Sequence, residues 1–319
     1  MKTGTFKDII ACYTIAYCIH NGISEFVTQS SGNTANSIAY YASLYKIKAT
    51  ILYPKKSRYK IRKFDYDKSF VRFIEVDKAG EDIKAFTQEI SETFKIPWLP
   101  KMEHQIHANE VRAHLLKDVY SEMRLNFDYT SQSLSSGYGV FGLYDGYWSF
   151  NISPFPIPRF IGVQQKSVNP YYRHIYNAEL AEDELLEPTL FRRIPTSEML
   201  AQMKDIVSKS NGHITNVDTL LFNSYEEKAT SLLASREIPL TSSDGQIIEK
   251  SGLISLIGVL DLIDKDQIKK DCSILAAITG SDAKGDRNCF IPTWTVGPND
   301  TFEEVEAIMQ KKNGEQHFA

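Results

Sequence analysis

Four short segments of the sequence contain glycine close to residues with an amine, hydroxyl or amide side chain. They are Thr-Gly-Thr-Phe-Lys-Asp at 3–8, Ser-Ser-Gly-Asn-Thr-Ala at 30–35, Ser-Ser-Gly-Tyr-Gly at 135–139 and Thr-Gly-Ser at 279–281. A lysine amine that loses its proton readily is a nucleophile, and partial burial or the positive end of a helix favours that loss. Backbone N–H groups and hydroxyls in a turn before a helix bind anions. The ordered set therefore predicts amine chemistry combined with anion binding.

Each of these segments lies where a predicted strand ends or a predicted helix begins. Apolar patterns and turn residues predict helices at 9–20, 34–45, 83–94, 109–123, 140–150 and 252–263, and strands at 25–28, 49–54, 70–76, 127–134, 160–164 and 273–278. Helices and strands that alternate on short loops are typical of a parallel α/β sheet. Since 319 residues exceed the size at which one core keeps growing, we expect two lobes, 1–125 and 126–319.

Composition and charge argue against several classes of protein. The net charge of −4 leaves no electrostatic footprint for nucleic acid. The apolar stretch at 9–19 is too short to span a bilayer and does not have the form of a signal peptide. Four cysteines without a CxxC pair are typical of reduced thiols in a cytoplasmic protein, the location that we predict. They are Cys12, Cys18, Cys272 and Cys289.

The order of the four segments resembles that of the fold-type-II enzymes that use pyridoxal 5′-phosphate (PLP), the group of the tryptophan synthase β subunit. The sequence around Lys7 and Asn33 is most similar to threonine synthases. Similarity continues in Gly146-Tyr147, in 158–164 and in Glu249-Lys250-Ser251-Gly252. The resemblance implies an α/β fold of two lobes, each a mostly parallel sheet flanked by helices.

The resemblance also implies a role for each segment. Lys7 would hold the PLP aldehyde as an imine, which makes it the Schiff-base lysine. The first loop would bind the substrate α-carboxylate, with Asn33 also against the cofactor's 3′-oxygen; its residues are Ser30, Ser31, Gly32, Asn33 and Thr34.

Two further segments would bind the phosphate group and the ring nitrogen of the cofactor. The phosphate would lie on backbone N–H groups of Ser135, Ser136, Gly137, Tyr138 and Gly139. Tyr138 stands where the resembled family commonly has glycine, which implies a reshaped loop or weaker phosphate binding. Thr279 would bond the pyridine nitrogen, with Ser281 as the second choice.

Each segment also has a purely structural interpretation. An N-terminal lysine can belong to a mobile terminus. The turns at 30–34 and 135–139 can simply join a strand to a helix, and Thr279 can be a cap or a strand end. Two histidines with two glutamates match no metal-ligand spacing, so we expect them at the surface. They are Glu103, His104, His107 and Glu110.

The sequence leaves two functions open. The first is PLP-dependent β- or γ-elimination or replacement on a small amino acid, since a neutral hydroxyl at Thr279 suits these reactions better than transamination. The specific expectation is a threonine synthase-like lyase of amino-acid biosynthesis that converts O-phosphohomoserine to threonine. Cations available for such a phosphorylated substrate are Lys55, Lys56, Arg58 and Arg159.

The second function is that of a non-catalytic or truncated PLP-fold protein, a binding or partner subunit. It stays open because six residues precede Lys7, where the resembled family carries several tens. In either case we expect a small amino acid as ligand and no metal, nucleic-acid or membrane partner. A homodimer is the possible assembly.

Overall fold

The structure of the protein, a computed structural model, describes residues 1–30, 32–61, 66–78, 80–149, 156–190, 194–238, 250–280 and 290–315. The chain divides into two compact units. Unit 1 comprises Met1–His104 and Ala283–Ala319, and unit 2 comprises Gln105–Asp282. Each unit holds a four-stranded sheet in which every pair of neighbouring strands is parallel. The expected α/β class, with parallel sheets flanked by helices, is confirmed.

The helices and strands alternate along most of the chain. In order they are α1 (Lys7–His20), β1 (Glu25–Gln29), α2 (Asn33–Leu44), β2 (Lys48–Pro54), β3 (Val71–Val76), α3 (Gly80–Thr93), α4 (Met102–Met123), β4 (Tyr129–Ser133), α5 (Tyr138–Ser149), β5 (Arg159–Gln165), α6 (Pro170–Tyr176), α7 (Ser197–Lys209), β6 (His213–Val217), α8 (Thr219–Ala234), α9 (Lys250–Asp264), β7 (Ile274–Ala276), β8 (Trp294–Val296) and α10 (Phe302–Glu315). A 3-10 helix, Lys55–Lys60, follows β2.

Unit 1 buries both faces of a sheet with the order β1-β2-β3-β8. Successive side chains of a strand point to opposite faces. Ile51 of β2 accordingly packs in a core with α1 and α2, whereas its neighbour Leu52 packs in a second core with α3 and α10. The near-continuous apolar sequence of β2 is therefore what a parallel strand covered on both sides requires.

Unit 2 repeats this arrangement with the order β6-β5-β4-β7. Phe160 of β5 packs against α5 and α7, and the next residue, Ile161, packs against α8 and α9. The central strand β4 differs because its buried residues are polar. Ser131 is fully buried and its Oγ lies 2.9 Å from the Oγ of Ser255 in α9, so the hydroxyl is satisfied within the core.

The structure corrects the expected lobes 1–125 and 126–319. β8 pairs in parallel with β3, with Trp294 opposite Ile74, so the end of the chain belongs to unit 1. The expected fully buried strand at 273–278 is also shorter, and β7 is only partly buried because it is the edge strand of its sheet. Among the helices of the described ranges, none has the length and apolar character that crossing a membrane requires.

Candidate functional site

The segment before Lys7 is anchored in unit 1. The backbone N–H of Thr3 donates to Oδ2 of Asp8 at 2.9 Å, and the Thr3 hydroxyl donates to Oδ1 of the same carboxylate. The Thr3 hydroxyl oxygen also lies 2.9 Å from Oγ of Ser37 in α2. All three residues are buried. These contacts argue against a mobile terminus and give Lys7 a defined position.

Lys7 is the first residue of α1 and is partly buried. Its backbone N–H donates to Oγ1 of Thr5 at 3.1 Å, and its Nζ lies 4.3 Å from the centroid of the Phe6 ring. The amine therefore extends from the positive end of a helix, where a cation is disfavoured. A helix start of this kind holds a nucleophile more firmly than a loop does.

The 30–34 loop joins β1 to α2, and part of it serves as a helix cap. Oγ of Ser30 accepts the backbone N–H of Ala35 at 3.1 Å, so the structural interpretation holds for this hydroxyl. Asn33 and Thr34 form the first turn of α2 and are partly buried, as anion binding at a helix start requires. Ser31 lies outside the described residues.

Lys60, the last residue of the 3-10 helix after β2, supports this loop. It is 2% exposed, and its carbonyl oxygen accepts the side-chain amide of Asn36 at 2.8 Å. A Cβ atom at Gly32 would lie 3.1 Å from Cβ of Lys60. The loop therefore approaches the lysine stem so closely that a larger residue than glycine would push the two apart.

Two of the four cations expected near a phosphorylated substrate, Lys55 and Arg58, are paired with carboxylates. Nζ of Lys55 lies 2.7 Å from Oδ2 of Asp77. Arg58 forms a two-pronged ion pair with the buried Glu75, with N–O distances of 2.5 and 2.8 Å. Arg159 begins β5, so it lies at the amino edge of its sheet, whereas the 135–139 loop follows the carboxyl end of β4. Lys55 and Arg58 are thus bonded to carboxylates, and Arg159 is distant from the 135–139 loop.

The surface position expected for His104 is wrong. The residue is 7% exposed, and its ring centroid lies 4.3 Å from that of Tyr17 in α1. His107, one turn further along α4, is exposed and lies 3.8 Å from Glu110. Within the part of the chain that the structure describes, no cluster of three or more acidic, histidine or cysteine residues could hold a metal ion.

The 135–139 loop joins β4 to α5 and is held from several sides. Oγ of Ser135 donates to the carbonyl of Thr189 at 3.2 Å, and the carbonyl of Ser136 accepts the hydroxyl of Tyr171 at 2.6 Å. Gly137 has a φ of +85°, and a Cβ there would lie 2.8 Å from the Phe141 ring. Glycine is therefore required at this position for both backbone and packing reasons.

Tyr138 does not interrupt the anion-binding geometry that the loop offers. It begins α5, and Gly139 follows it in the same first turn. The first N–H groups of a helix have no carbonyl within their own helix to bond, and they carry the positive end of its dipole. This turn can bind a phosphate through its backbone whatever the side chain at Tyr138.

Thr279 is buried beside a second hydroxyl that its sequence context did not reveal. Its Oγ1 lies 3.1 Å from Oγ of Ser251, in the first turn of α9. The hydroxyl that accepts from its neighbour in the pair can donate its own O–H to a third group. Ser281, the second choice for the same role, lies outside the described residues.

Arg112 also escaped the sequence analysis. Its guanidinium donates to the carbonyl of Gly139 and to the side chain of Gln132. The polar run at 130–133, within the predicted strand 127–134, is the sequence signal that indicates such a partly buried polar partner.

The donor groups fit PLP when each unit is taken by itself. Unit 1 offers a primary amine for the aldehyde and a helix start for a carboxylate. Unit 2 offers a helix start for a phosphate and a buried hydroxyl pair for a ring nitrogen. It also has Gly137, where a Cβ atom would overlap the Phe141 ring. No group in these sets requires a metal ion to complete it.

Comparison with solved structures gives the same fold. The chain matches a threonine deaminase from T.th. with 17% identity and a TM-score of 0.62 over 91% of this chain and 86% of that one. It matches the serine racemase of Dictyostelium discoideum with 16% identity and a TM-score of 0.62 over 89% and 85%. The diaminopropionate ammonia lyase of Escherichia coli gives 16% identity and a TM-score of 0.60 over 88% and 77%. Among curated proteins, none matches the sequence.

The match to a family model identifies the family of the protein, which these distant structural similarities do not. The model described as "Pyridoxal-phosphate dependent enzyme" matches residues 1–280, which is most of the chain and includes all four segments at least in part. The protein therefore belongs to the pyridoxal-phosphate dependent enzyme family, with the fold-type-II architecture and PLP as its cofactor.

Proposed function

We propose that the protein catalyses PLP-dependent elimination from a small, unphosphorylated amino acid. The observation that supports this choice of substrate is the pairing of two of the four available cations. Lys55 and Arg58 are bonded to Asp77 and Glu75, so binding a substrate phosphate would require breaking one of these ion pairs. The structural neighbours named above, a deaminase, a racemase and an ammonia lyase, support a reaction that begins at the substrate Cα.

Bound PLP supplies an electron sink that stabilises negative charge at the substrate Cα. Lys7 would hold the cofactor aldehyde, and its amine would be the group that takes a proton from the substrate Cα. The first turn of α2 binds the α-carboxylate through backbone N–H groups, which orients the Cα–H bond.

The groups of unit 2, taken by themselves, would hold two parts of the cofactor. The 135–139 loop and the start of α5 would bind the phosphate. The Thr279 hydroxyl would bond the pyridine nitrogen without placing a charge beside it, which would limit how much negative charge the ring withdraws. That balance favours loss of a leaving group from Cβ.

A threonine synthase-like conversion of O-phosphohomoserine is the second candidate. The observation that favours it is the similarity of the sequence around Lys7 and Asn33 to threonine synthases. This reaction removes phosphate from Cγ, so its product profile separates it from the first candidate.

The attachment of the cofactor tests the proposed role of Lys7. Borohydride reduction of the PLP-loaded protein should label one peptide, and mapping should find the label on Lys7. Lys7→Ala should abolish the label and the visible absorbance of bound cofactor. Lys2→Ala, which alters an exposed lysine of the same segment, is the matched control and should behave as wild type. A label on another lysine would refute the assignment.

The reaction itself is tested with three substrates. L-Serine and L-threonine should release ammonia and a 2-oxo acid, and O-phospho-L-homoserine should release little phosphate. Phosphate release without ammonia would instead identify the threonine synthase-like reaction. Tight PLP binding with no turnover of any of the three would favour the partner-subunit function.

A further inference from the structure

We propose that Arg112 is the cation that sets the phosphate affinity of the 135–139 loop, an inference that rests on the proposed role of this loop in holding the cofactor phosphate. The loop itself contains no lysine or arginine. Arg112 lies in α4, more than twenty residues earlier in the chain, and it reaches the loop through tertiary packing.

Two glycines of α5 allow α4 to approach closely enough. A Cβ at Gly142 would lie 2.0 Å from the carbonyl oxygen of Ile106, and a Cβ at Gly146 would lie 2.8 Å from Cβ of Ala113. The two helices are therefore in contact through backbone as well as side chains. Arg112 is adjacent to this contact, and its side chain lies against the first turn of α5.

The guanidinium bridges the two elements that form the loop. Nη1 donates to the carbonyl of Gly139 at 2.9 Å, and Nη2 donates to Oε1 of Gln132 at 2.9 Å. One bond ends on the first turn of α5 and the other ends on β4 just before the loop. The acceptors of these two bonds are neutral oxygens, and the bonds fix the orientation of the guanidinium.

Arg112 is partly buried, so its charge is screened less than that of a fully exposed residue. Burial lowers the pKa of the guanidinium to about 10, which still leaves it protonated at neutral pH. Coulombic attraction to an anion increases as the surrounding dielectric constant falls. A phosphate on the first turn of α5 would therefore gain from Arg112 as well as from the helix dipole.

The experiment compares two ligands that differ only in the phosphate. PLP and its dephosphorylated form pyridoxal are titrated into wild type, Arg112→Met and Arg112→Lys. We expect Arg112→Met to weaken PLP binding by about ten- to a hundredfold, the range for losing one charge-assisted contact, while pyridoxal affinity stays within about twofold. Arg112→Lys retains the charge and should lose less.

Two control variants separate charge from structure. Arg159→Met removes a positive charge from the amino edge of the same sheet and should leave both affinities unchanged. Gln132→Met removes one bond to Arg112 but keeps its charge, so its effect should be smaller than that of Arg112→Met. Circular dichroism and thermal unfolding of each apo variant verify folding, and Arg112→Lys keeps the test decisive if Arg112→Met does not fold.

The outcomes distinguish this inference from the proposed function. If Arg112→Met weakens PLP and pyridoxal equally, or changes neither, Arg112 has no role specific to phosphate and the inference is overturned while PLP chemistry stands. If wild type binds no PLP, both are overturned. A wild-type protein that prefers PLP to pyridoxal, combined with loss of that preference in Arg112→Met, supports both.

Discussion

At the scale of single residues, the hydroxyl pair of Thr279 and Ser251 controls what a cofactor ring would meet in unit 2. The two oxygens are 3.1 Å apart, and both residues are buried. A hydroxyl in such a pair has a defined orientation because its neighbour occupies one of its hydrogen-bonding directions. Thr279 can thus present a neutral partner to the pyridine nitrogen in a fixed direction.

Replacing this neutral partner by a carboxylate should change the reaction rather than abolish cofactor binding. Thr279→Asp places a negative charge where the ring nitrogen would lie, which favours the protonated ring. We expect the variant to retain PLP but to eliminate more slowly and to form side products. Absorbance spectra and product analysis by liquid chromatography measure both effects.

Thr279→Ser is the matched control, since it keeps the hydroxyl and should retain the wild-type product distribution. Ser251→Ala removes the orienting partner and should give an intermediate effect. If Thr279→Asp left the spectrum and the products unchanged, the pyridine partner would have to be another residue.

At the scale of secondary-structure elements, the contact between α4 and α5 determines the shape of the 135–139 loop. α5 begins in that loop, so a displacement of α5 moves the first-turn N–H groups directly. Gly142 and Gly146 are one helical turn apart and therefore lie on the same face of α5. Their spacing is what allows α4 to lie against the helix.

We expect Gly142→Ala to destabilise the protein more than Gly146→Ala. The new Cβ at 142 would lie 2.0 Å from the backbone oxygen of Ile106, which cannot move alone. The new Cβ at 146 would lie 2.8 Å from the nearest atoms, a smaller overlap. We predict losses of about 3 and about 1 kcal/mol in the free energy of unfolding, after the gain in helix propensity.

Urea denaturation of the apo proteins measures both values. The two variants share the same chemical change in the same helix, so each is the control for the other. Equal losses, or a stabilisation by Gly142→Ala, would mean that α4 and α5 are not in backbone contact.

At the scale of the whole molecule, unit 1 is built from both ends of the chain. β8 completes its sheet beside β3, and α10 covers the same face as α3. The folding of unit 1 therefore depends on residues far from Lys7 in the sequence. The expected cytoplasmic location and homodimer stay predictions.

A charge buried in α10 should destabilise unit 1. Val305 is fully buried in the core formed with α3, and Val305→Asp would place an unpaired carboxylate there. We expect a loss of about 3 kcal/mol or more in the free energy of unfolding. Ala307→Asp introduces the same side chain at an exposed position of the same helix and should cost little. Chemical denaturation measures both, and similar midpoints would contradict the assignment of α10 to unit 1.

Much of the local structure was predictable because it depends on short-range patterns. The apolar run at 49–54 predicted β2, and the alternation of small and apolar residues after Asn33 predicted α2. The structure confirms these elements to within a residue or two at their ends. Three of the glycine segments, at 3–8, 30–35 and 135–139, also have the expected positions next to helices and strands, since a turn sequence acts on its own neighbours. Thr279 instead lies three residues beyond the end of β7.

The elements between residues 165 and 250 were not predicted. α7 and α8 are amphipathic and partly exposed, and β6 alternates between buried and partly exposed residues. Weak patterns of this kind do not separate a helix from a loop without the neighbour that covers them.

The sequence by itself determined the fold class, most of the central strands and helices, and the residue types that make PLP the expected cofactor. Only the tertiary structure decided which distant segments meet. It brought Arg112 to Gly139, placed Lys60 against Gly32, buried His104 beside Tyr17 and joined β8 to β3. The physical reason is that the periodicity of apolar residues in a segment shows which face of the helix or strand is buried. Which residue packs against that face depends on how the connections of the whole chain bring distant elements together.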